Sequence, residues 1–357
     1  MLIIAALVTL LIVIATVLPL FKNPHWIIRS MDFPRLQITC LAGLLLCVHF
    51  IFLDLQESVT WFLLVASALC FFWQLWWVLP YTPIWPYEVK ASALTDPNQQ
   101  LSIITANVLQ TNQNSAALIA LVNQYQPDIL VTLESDQCWQ DKLQVLETQM
   151  PYSVKCPLDN LYGMHVYSRL PFSQEVISYL VEDDIPSIHF HLRLRNGVQV
   201  QMHFVHPAPP SPTENAESAE RDAELITIAR SVSETEGPVI VTGDLNDVAW
   251  SATTRLFRKI SGLLDPRVGR GMFNTFHVDF PFLRWPLDHL FHSAHFTVQH
   301  IKRLPTIGSD HFPLYSMLTY TPAMSEQQEG LTACKDDREE AIDISNDKNI
   351  SKDAVPS

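Results

Sequence analysis

The stretch VIVTGDLNDVAWS, residues 239–251, runs without a break from an apolar β-branched segment into Asp244, Asn246 and Asp247. A short apolar run of this kind reads as a buried strand. Its polar exit has two readings. An ordinary turn ends a strand with Asn and Asp. A strand end that delivers an acid and an amide to a ligand looks the same.

The other strand ends separate these readings. LSIITAN (101–107) ends in Asn107, DILVTLE (128–134) in Glu134 and VQVQMHFVH (198–206) in His206. RWPLDHLF (284–291) carries Asp288, and IGSDHFPL (307–314) carries Asp310 and His311. One polar strand end is a cap or a turn. Six places that all combine metal- or phosphate-compatible groups point to a shared site. Hard divalent cations take oxygen ligands, often one or two carboxylates plus substrate phosphate oxygens. Glu134, Asp310 and Asn107 have that chemistry, so Mg²⁺ is expected, with Mn²⁺ as the alternative. Zinc favours His and Cys at short spacings, and those are not found. Phosphodiester cleavage also needs a positioned water, charge stabilisation at phosphorus and help for the leaving oxygen. Asp244, Asn246, His206 and His311 suit those tasks.

Helical patterns lie between the strands. SAALIALVNQY (115–125) separates the first two, and AERDAELITIARSVSETEG (219–237) precedes PVIVTGDL, with Gly237-Pro238 as its stop. SIHFHLRL and VQVQMHFVH flank Asn196-Gly197, a hairpin turn signal. Hence the sheet is mixed, and many strands with few helices predict two packed sheets with helices outside.

The 357 residues have a mean hydropathy of +0.12, and the apolar excess is concentrated near the N-terminus. Residues 2–21, 36–53 and 59–79 are apolar runs close to the roughly 20 residues that cross a bilayer core. The segment 1–80 is therefore expected to be a membrane domain with three transmembrane helices. A cleaved signal peptide is the rival for the first run, which lacks a charged leader region. Lys22, Arg29 and Arg35 weight the first loop, and the second, DLQES, has no cation. The positive-inside tendency then predicts a multi-pass protein of the cell inner membrane with its catalytic domain in the cytoplasm. The periplasm is the alternative. Residues 81–100 are Pro-rich and read as a linker, 101–320 as one domain, and 321–357 as a disordered acidic tail. The cysteines show no metal spacing and suggest no disulfide framework.

TAN (105–107), LE (133–134), YSRLPF (167–172), HFVHPAPP (203–210), GDLND (243–247), LDHLF (287–291) and GSDHFPL (308–314) together resemble the endonuclease/exonuclease/phosphatase superfamily, of the DNase I type. They stand in its order across about 220 residues, and bacterial membrane-anchored members with a HPxPP segment are most similar. The resemblance implies an α+β fold, a four-layer α/β/β/α sandwich; the three transmembrane helices that precede it lie outside the resemblance. It implies a metal-dependent phosphoric ester hydrolase. Glu134 matches the metal-binding glutamate, and Asn107 the asparagine near metal and phosphate. Asp244 and Asn246 match the pair that orients water and holds phosphate. Asp288 matches the acid that supports a histidine. Asp310 matches the residue near the metal, His311 the one at the scissile phosphate, and His206 a strand-end histidine. Asn107, Asn246 and His311 thus become the substrate-binding residues.

Simpler readings stand beside these. Asp247 reads as the N-cap of the following helix, and Arg169 as structural. His289 and His292 read as surface or packing residues, and His189 and His191 as a polar sheet face. The region 91–322 has a net charge of about −9, where a DNA binder usually has a basic footprint. A local patch of Arg255, Arg258, Lys259, Arg267 and Arg270 keeps a nuclease acting on DNA or RNA as the alternative to a membrane-anchored phosphodiesterase. The expected partners are the lipid bilayer and a phosphodiester: a phospholipid head group, a small phosphodiester or nucleic acid. No protein partner is inferred. A catalytically silent membrane scaffold is the competing class, and the full set of strand-end groups argues against it.

Overall fold

The computed structural model describes residues 2–21, 23–93 and 96–356. Lys22, one of the cations behind the topology expectation, lies outside them. Three helices are long and apolar enough to cross a membrane: Leu2–Leu20, Arg35–Phe52 and Ser58–Tyr81. Their α-helical parts are α1 (Leu2–Val17), α3 (Arg35–Phe52) and α4 (Ser58–Val78), and a short α2 (Trp26–Ser30) lies in the first connector. The bundle turns its polar side chains inward. Thr9, Thr16, His49, Ser67 and Gln74 are buried, while Ile3, Ile4, Leu11, Phe62 and Phe72 face out. Gln74 Nε2 donates to Thr16 Oγ1 (3.1 Å), and Thr9 Oγ1 lies 3.4 Å from His49 Nε2. A bundle in water has the opposite arrangement, whereas helices in lipid associate through such small and polar residues.

The remaining elements are β1 (Gln100–Asn107), α5 (Ser115–Tyr125), β2 (Ile129–Leu133), α6 (Gln137–Leu143), β3 (Tyr152–Cys156) and β4 (Met164–Ser168), followed by β5 (Phe172–Ser178), β6 (Ser187–Arg193), β7 (Gln199–Val205), α7 (Ala219–Val232) and β8 (Val239–Asp244). Last come α8 (Ala252–Ser261), β9 (Asp288–His292), β10 (Phe296–Arg303), β11 (Leu314–Tyr320) and α9 (Lys335–Asp347). One sheet has the order β10-β11-β1-β2-β4-β3 and the other β5-β6-β7-β8-β9. Ile103, Val131, Phe190, Phe204 and Leu290 fill the space between them. Leu118, Val122 and Trp139 from α5 and α6 cover the first sheet, and Leu225, Ile228 and Phe257 from α7 and α8 cover the second. This is the expected four-layer α/β/β/α sandwich. The hairpin at Asn196-Gly197 forms as read, with Gly197 at φ 88° and β6 antiparallel to β7.

Register gathers the polar strand ends. β1 and β2 run parallel with Asn107 opposite Leu133, so Glu134 follows directly beside it. β8 and β9 run antiparallel with Asp244 opposite Asp288. Thr105 Oγ1 lies 3.0 Å from Thr242 Oγ1, joining the two sheets just behind these ends. At Gly243 a Cβ would fall 1.9 Å from the Val205 carbonyl oxygen, so only glycine lets β8 lie this close to β7.

Four expectations change. The helix read over 219–237 stops at Val232, where Ser233 N still bonds Ala229 O before the chain turns. The tail read as disordered contains α9, which a Cys334–Asp337 capping box opens. Ala341 and Val355 bury against α7 and α8, and Lys259 holds Asp337 at 2.8 Å. Composition counts the tail's charges but not the opposite charges awaiting them. Of the linker 81–100, residues 81–93 form a packed strap: Val89 is fully buried, Glu88 pairs with Arg258, and Ser92 N donates to Val298 O. The basic patch is consumed as well, only in part by that strap. Arg258 and Arg267 are buried, Arg267 against Asp265 at 2.8 Å, and the guanidinium groups of Arg255 and Arg270 lie over Trp77 and Tyr87.

Glu224 on α7 is buried and has no partner for Oε1; burial pushes its pKa up to about 8. The unfolded chain releases this proton near the ordinary value, so stability falls as pH rises from about 4.5 to about 8. Glu224→Gln should therefore raise the melting temperature at pH 8.5 by on the order of a few degrees and leave it unchanged at pH 4. An equal shift at both pH values would count against a buried, strained carboxylate.

Candidate active site

The floor of the site is made where β1, β2, β8 and β9 end together. Asn107 Nδ2 donates to Glu134 Oε1 (2.6 Å) and to Asp244 Oδ2 (3.3 Å). Its Oδ1 accepts from Leu109 N, which fixes the amide's orientation. Glu134 has φ 56° and Asn246 φ 50°. Asparagine tolerates the left-handed region, but glutamate does not adopt it freely, and such strain clusters at functional sites. Asp244 Oδ1 accepts from Asn246 N (3.0 Å), and Asn246 Nδ2 donates to Pro207 O (3.0 Å). Thus Asp244 and Asn246 are held as one unit on the tight turn after β8.

Asp310 and His311 enter from the loop before β11. His311 N donates to Ser309 Oγ, and Val278 N donates to Asp310 O, so the loop is fixed on both sides. The His311 ring sits between two carboxylates, with Nδ1 2.8 Å from Asp288 Oδ2 and Nε2 3.5 Å from Asp244 Oδ2. Burial alone would lower its pKa; Asp244 and Asp288 overcome this and hold it up to about 10. Burial would raise Asp244, yet His311 above all holds it below its ordinary value. Burial pushes Glu134 up to about 7, against the hydrogen bond from Asn107.

Above this floor lies a cleft of about 610 Å³. Glu134, Asp244, Asn246, Asp310 and His311 line it, with Phe276, Trp285 and Leu287 along one side. Asn107, Asp288 and His206 stand beneath the lining rather than in it. His206 is buried with its ring 5.3 Å from that of Tyr162, and burial lowers its pKa to about 4, so the imidazole is neutral.

Three side chains here could share a cation: one donor atom each from Asp244, Asp288 and His311 lies within 4.8 Å of the others. His311 is a poor ligand in this arrangement, because its raised pKa and its bond to Asp288 keep it protonated. Glu134 is the better candidate. It is a largely buried acid with one neutral donor, and Asp310 and Asp244 are among its electrostatic neighbours. An all-oxygen set of this kind fits a hard divalent cation.

Several residues at the site escape sequence reading. Arg221, fully buried on α7, donates Nη1 to Asn246 O (2.8 Å) and pairs with Asp222 at 2.8 Å and Asp247 at 3.5 Å. Asp247 is not the helix cap. Ser251 caps α8, and Asp247 accepts from Ser251 Oγ (2.5 Å) and Thr254 Oγ1 (3.3 Å) one turn earlier. The histidines also move. His189 and His203 are buried with their Nδ1 atoms 2.7 Å apart, a cross-strand polar pair of β6 and β7 within one sheet. His289 is a fully buried packing residue that takes Arg267 Nη2 at 2.7 Å. Asp247→Ala should cost about 3 kcal/mol, because it strips a buried guanidinium of one of its carboxylates. Denaturant unfolding should register this loss, with Asp247→Asn less affected. A cost near zero would mean that Asp222 alone balances Arg221.

A two-sheet sandwich whose strand ends gather acids, an amide and an imidazole in this register defines a protein of the DNase I-like class. The chain belongs to the Endonuclease/Exonuclease/phosphatase family, whose profile matches residues 104–311. Members of this family are phosphoester hydrolases that use divalent metals. Among solved structures, D. rerio TDP2 complexed with a single-strand DNA product superposes with a TM-score of 0.51 at 17% identity, covering 62% of this chain and 99% of that one. The human Nocturnin catalytic domain with bound sulfate gives 0.51 at 17% identity, covering 64% and 97%. These likenesses concern the fold. A sequence search of curated proteins finds no match.

Proposed function

We propose that the chain is a membrane-anchored, divalent-metal-dependent phosphodiesterase that cleaves its substrate by in-line attack of water. The observation that carries this reading is the His311 ring held between Asp288 and Asp244, beside the Glu134–Asn107 pair. A divalent cation held by Glu134, with Asp310 and Asn107 beside it, would polarise the phosphoryl oxygens when bound.

The chain's own residues supply the rest. Asp288 keeps Nδ1 of His311 occupied, so Nε2 faces the cleft side of the ring. As the P–O bond to the leaving oxygen breaks, a protonated His311 stabilises the charge that builds on the phosphate oxygens and gives its Nε2 proton to that leaving oxygen. Asp244, ionised at neutral pH, accepts a proton from the attacking water and orients it. Asn246 holds a phosphate oxygen through its side-chain amide, and Arg221 fixes its backbone. His206, neutral and packed against Tyr162, stands near enough to Asp244 to interact with it electrostatically.

The anchor rests on the three apolar helices and their inverted polarity. Loop 21–34 and the strap after α4 both meet the catalytic domain. Trp26 N donates to Ala216 O, and Trp250 Nε1 donates to Asp32 O (2.8 Å). Loop and domain are therefore on one side of the bundle, the cytoplasmic side by the positive-inside tendency. The purified full chain should hydrolyse bis-p-nitrophenyl phosphate with Mg²⁺ or Mn²⁺ and stop on chelation. No turnover of any phosphoester in any divalent metal would sink the reading and favour a silent scaffold.

A further inference from the structure

The cleft has a wall that the family match does not supply. Residues Ser30, Met31, Phe33 and Pro34, from the connector between α1 and α3, line it together with Glu134 and Asp310. They lie outside 104–311. The loop 277–285 adds Leu283 and Trp285 to the same lining. Phe33 meets Trp285 edge to face at 5.6 Å, and Gln37, in the first turn of α3, donates Nε2 to Phe282 O (2.8 Å). The loop is thus pinned at the level where a membrane-crossing helix begins. Its tip points apolar side chains at solvent: Phe282 is 87% exposed, and Phe280 and Leu283 about half. Ile84, just past α4, is also 82% exposed. A patch of this kind marks a membrane or partner contact, and its continuity with the helix ends selects the membrane.

The lining carries four carboxylates, Glu134, Glu214, Asp244 and Asp310, and no Lys or Arg among the described residues. A polyanion that needs several phosphates neutralised finds no partners there. A single phosphodiester delivered from the bilayer surface does not need them.

We propose that the cleft opens at the membrane surface and takes the phosphodiester head group of a bilayer lipid, received between the connector 30–34 and a loop, 277–285, that dips into the interface. This rests on the phosphodiesterase reading and assigns its substrate class.

The test uses the full chain reconstituted in vesicles of phosphatidylethanolamine, phosphatidylglycerol and phosphatidylcholine, with bis-p-nitrophenyl phosphate as the soluble comparison. Phe280 and Phe282 do not line the cleft. The double variant Phe280→Ser, Phe282→Ser should keep turnover of the soluble diester and lose at least about tenfold on vesicle lipid. Equal retention of both activities would overturn the proposal. So would a wild type that cleaves the soluble diester or a DNA strand but no vesicle lipid, which leaves the phosphodiesterase reading standing. Failure on every substrate removes that reading and the proposal together. A nitroxide at position 282, with Cys40, Cys47, Cys138 and Cys334 changed to serine, reports without turnover. Greater relaxation by oxygen than by a water-soluble nickel chelate is expected, and the reverse order overturns the loop's placement.

Discussion

His311→Ala should lower kcat/KM on bis-p-nitrophenyl phosphate by about 10³-fold, inside the range that one positioned acid–base group contributes. The ring is buried and bonded to Asp288 at 2.8 Å, so it is already aimed before substrate arrives. Preorganised charge of this sort is worth far more in a buried site than in water. Asp288→Asn should act in the same direction and less strongly. It also removes one of the carboxylates that hold the His311 pKa up to about 10. Activity that needs protonated His311 should fall on the alkaline side, and the Asp288→Asn variant should move that fall to lower pH. A pH–rate profile tests this. An alkaline limb that stays in place, with full activity in the alanine variant, would remove His311 from the chemistry.

Glu134→Gln should separate function from stability. Glutamine keeps the acceptor for Asn107 but not the charge for a cation. The Mg²⁺ concentration for half-maximal activity should rise by at least about 100-fold, the upper end of what even a residue behind a metal ligand costs. Metal-free, the same change should stabilise the fold. Burial holds the Glu134 pKa up to about 7, so the folded chain resists ionising a group that the unfolded chain ionises near 4.5. Stability falls with rising pH across that window. The variant should therefore melt higher than wild type above pH 7 without Mg²⁺, and match it at pH 4. Titrating Mg²⁺ against activity and against melting temperature gives both readouts. Unaltered Mg²⁺ dependence would place the metal elsewhere, with the Asp244, Asp288 and His311 cluster as the next candidate.

The sandwich was legible because each core strand declares itself by an apolar run and a polar end. Asn107, Glu134, Asp244 and Asp288 are the residues where those runs stop, and register then does the gathering. What lies on helices was not legible. Arg221 stands in AERDAE among acids, where no pattern distinguishes a buried cation from a solvated one. Asp247 and Ser251 are both good cap residues four positions apart, and only the helix phase chooses Ser251. The cleft's connector wall depends on docking between segments more than 200 positions apart, as in the Gln37–Phe282 bond. The tail misled because its acids look unpaired until Lys259 stands opposite Asp337.

The packed residues 81–93 make the proposed anchor a mount. A flexible linker over 81–100 would let the domain wander over about 25 Å. Here Glu88 on Arg258 and buried Val89 hold it, and the His25–Glu217 bridge grips it from the other side. With the helices crossing a bilayer as proposed, the cleft has a fixed altitude above it, whatever the substrate. Its search is two-dimensional, and selection by height comes before selection by chemistry: a diester that rises too far from the surface, or too little, is never presented to His311.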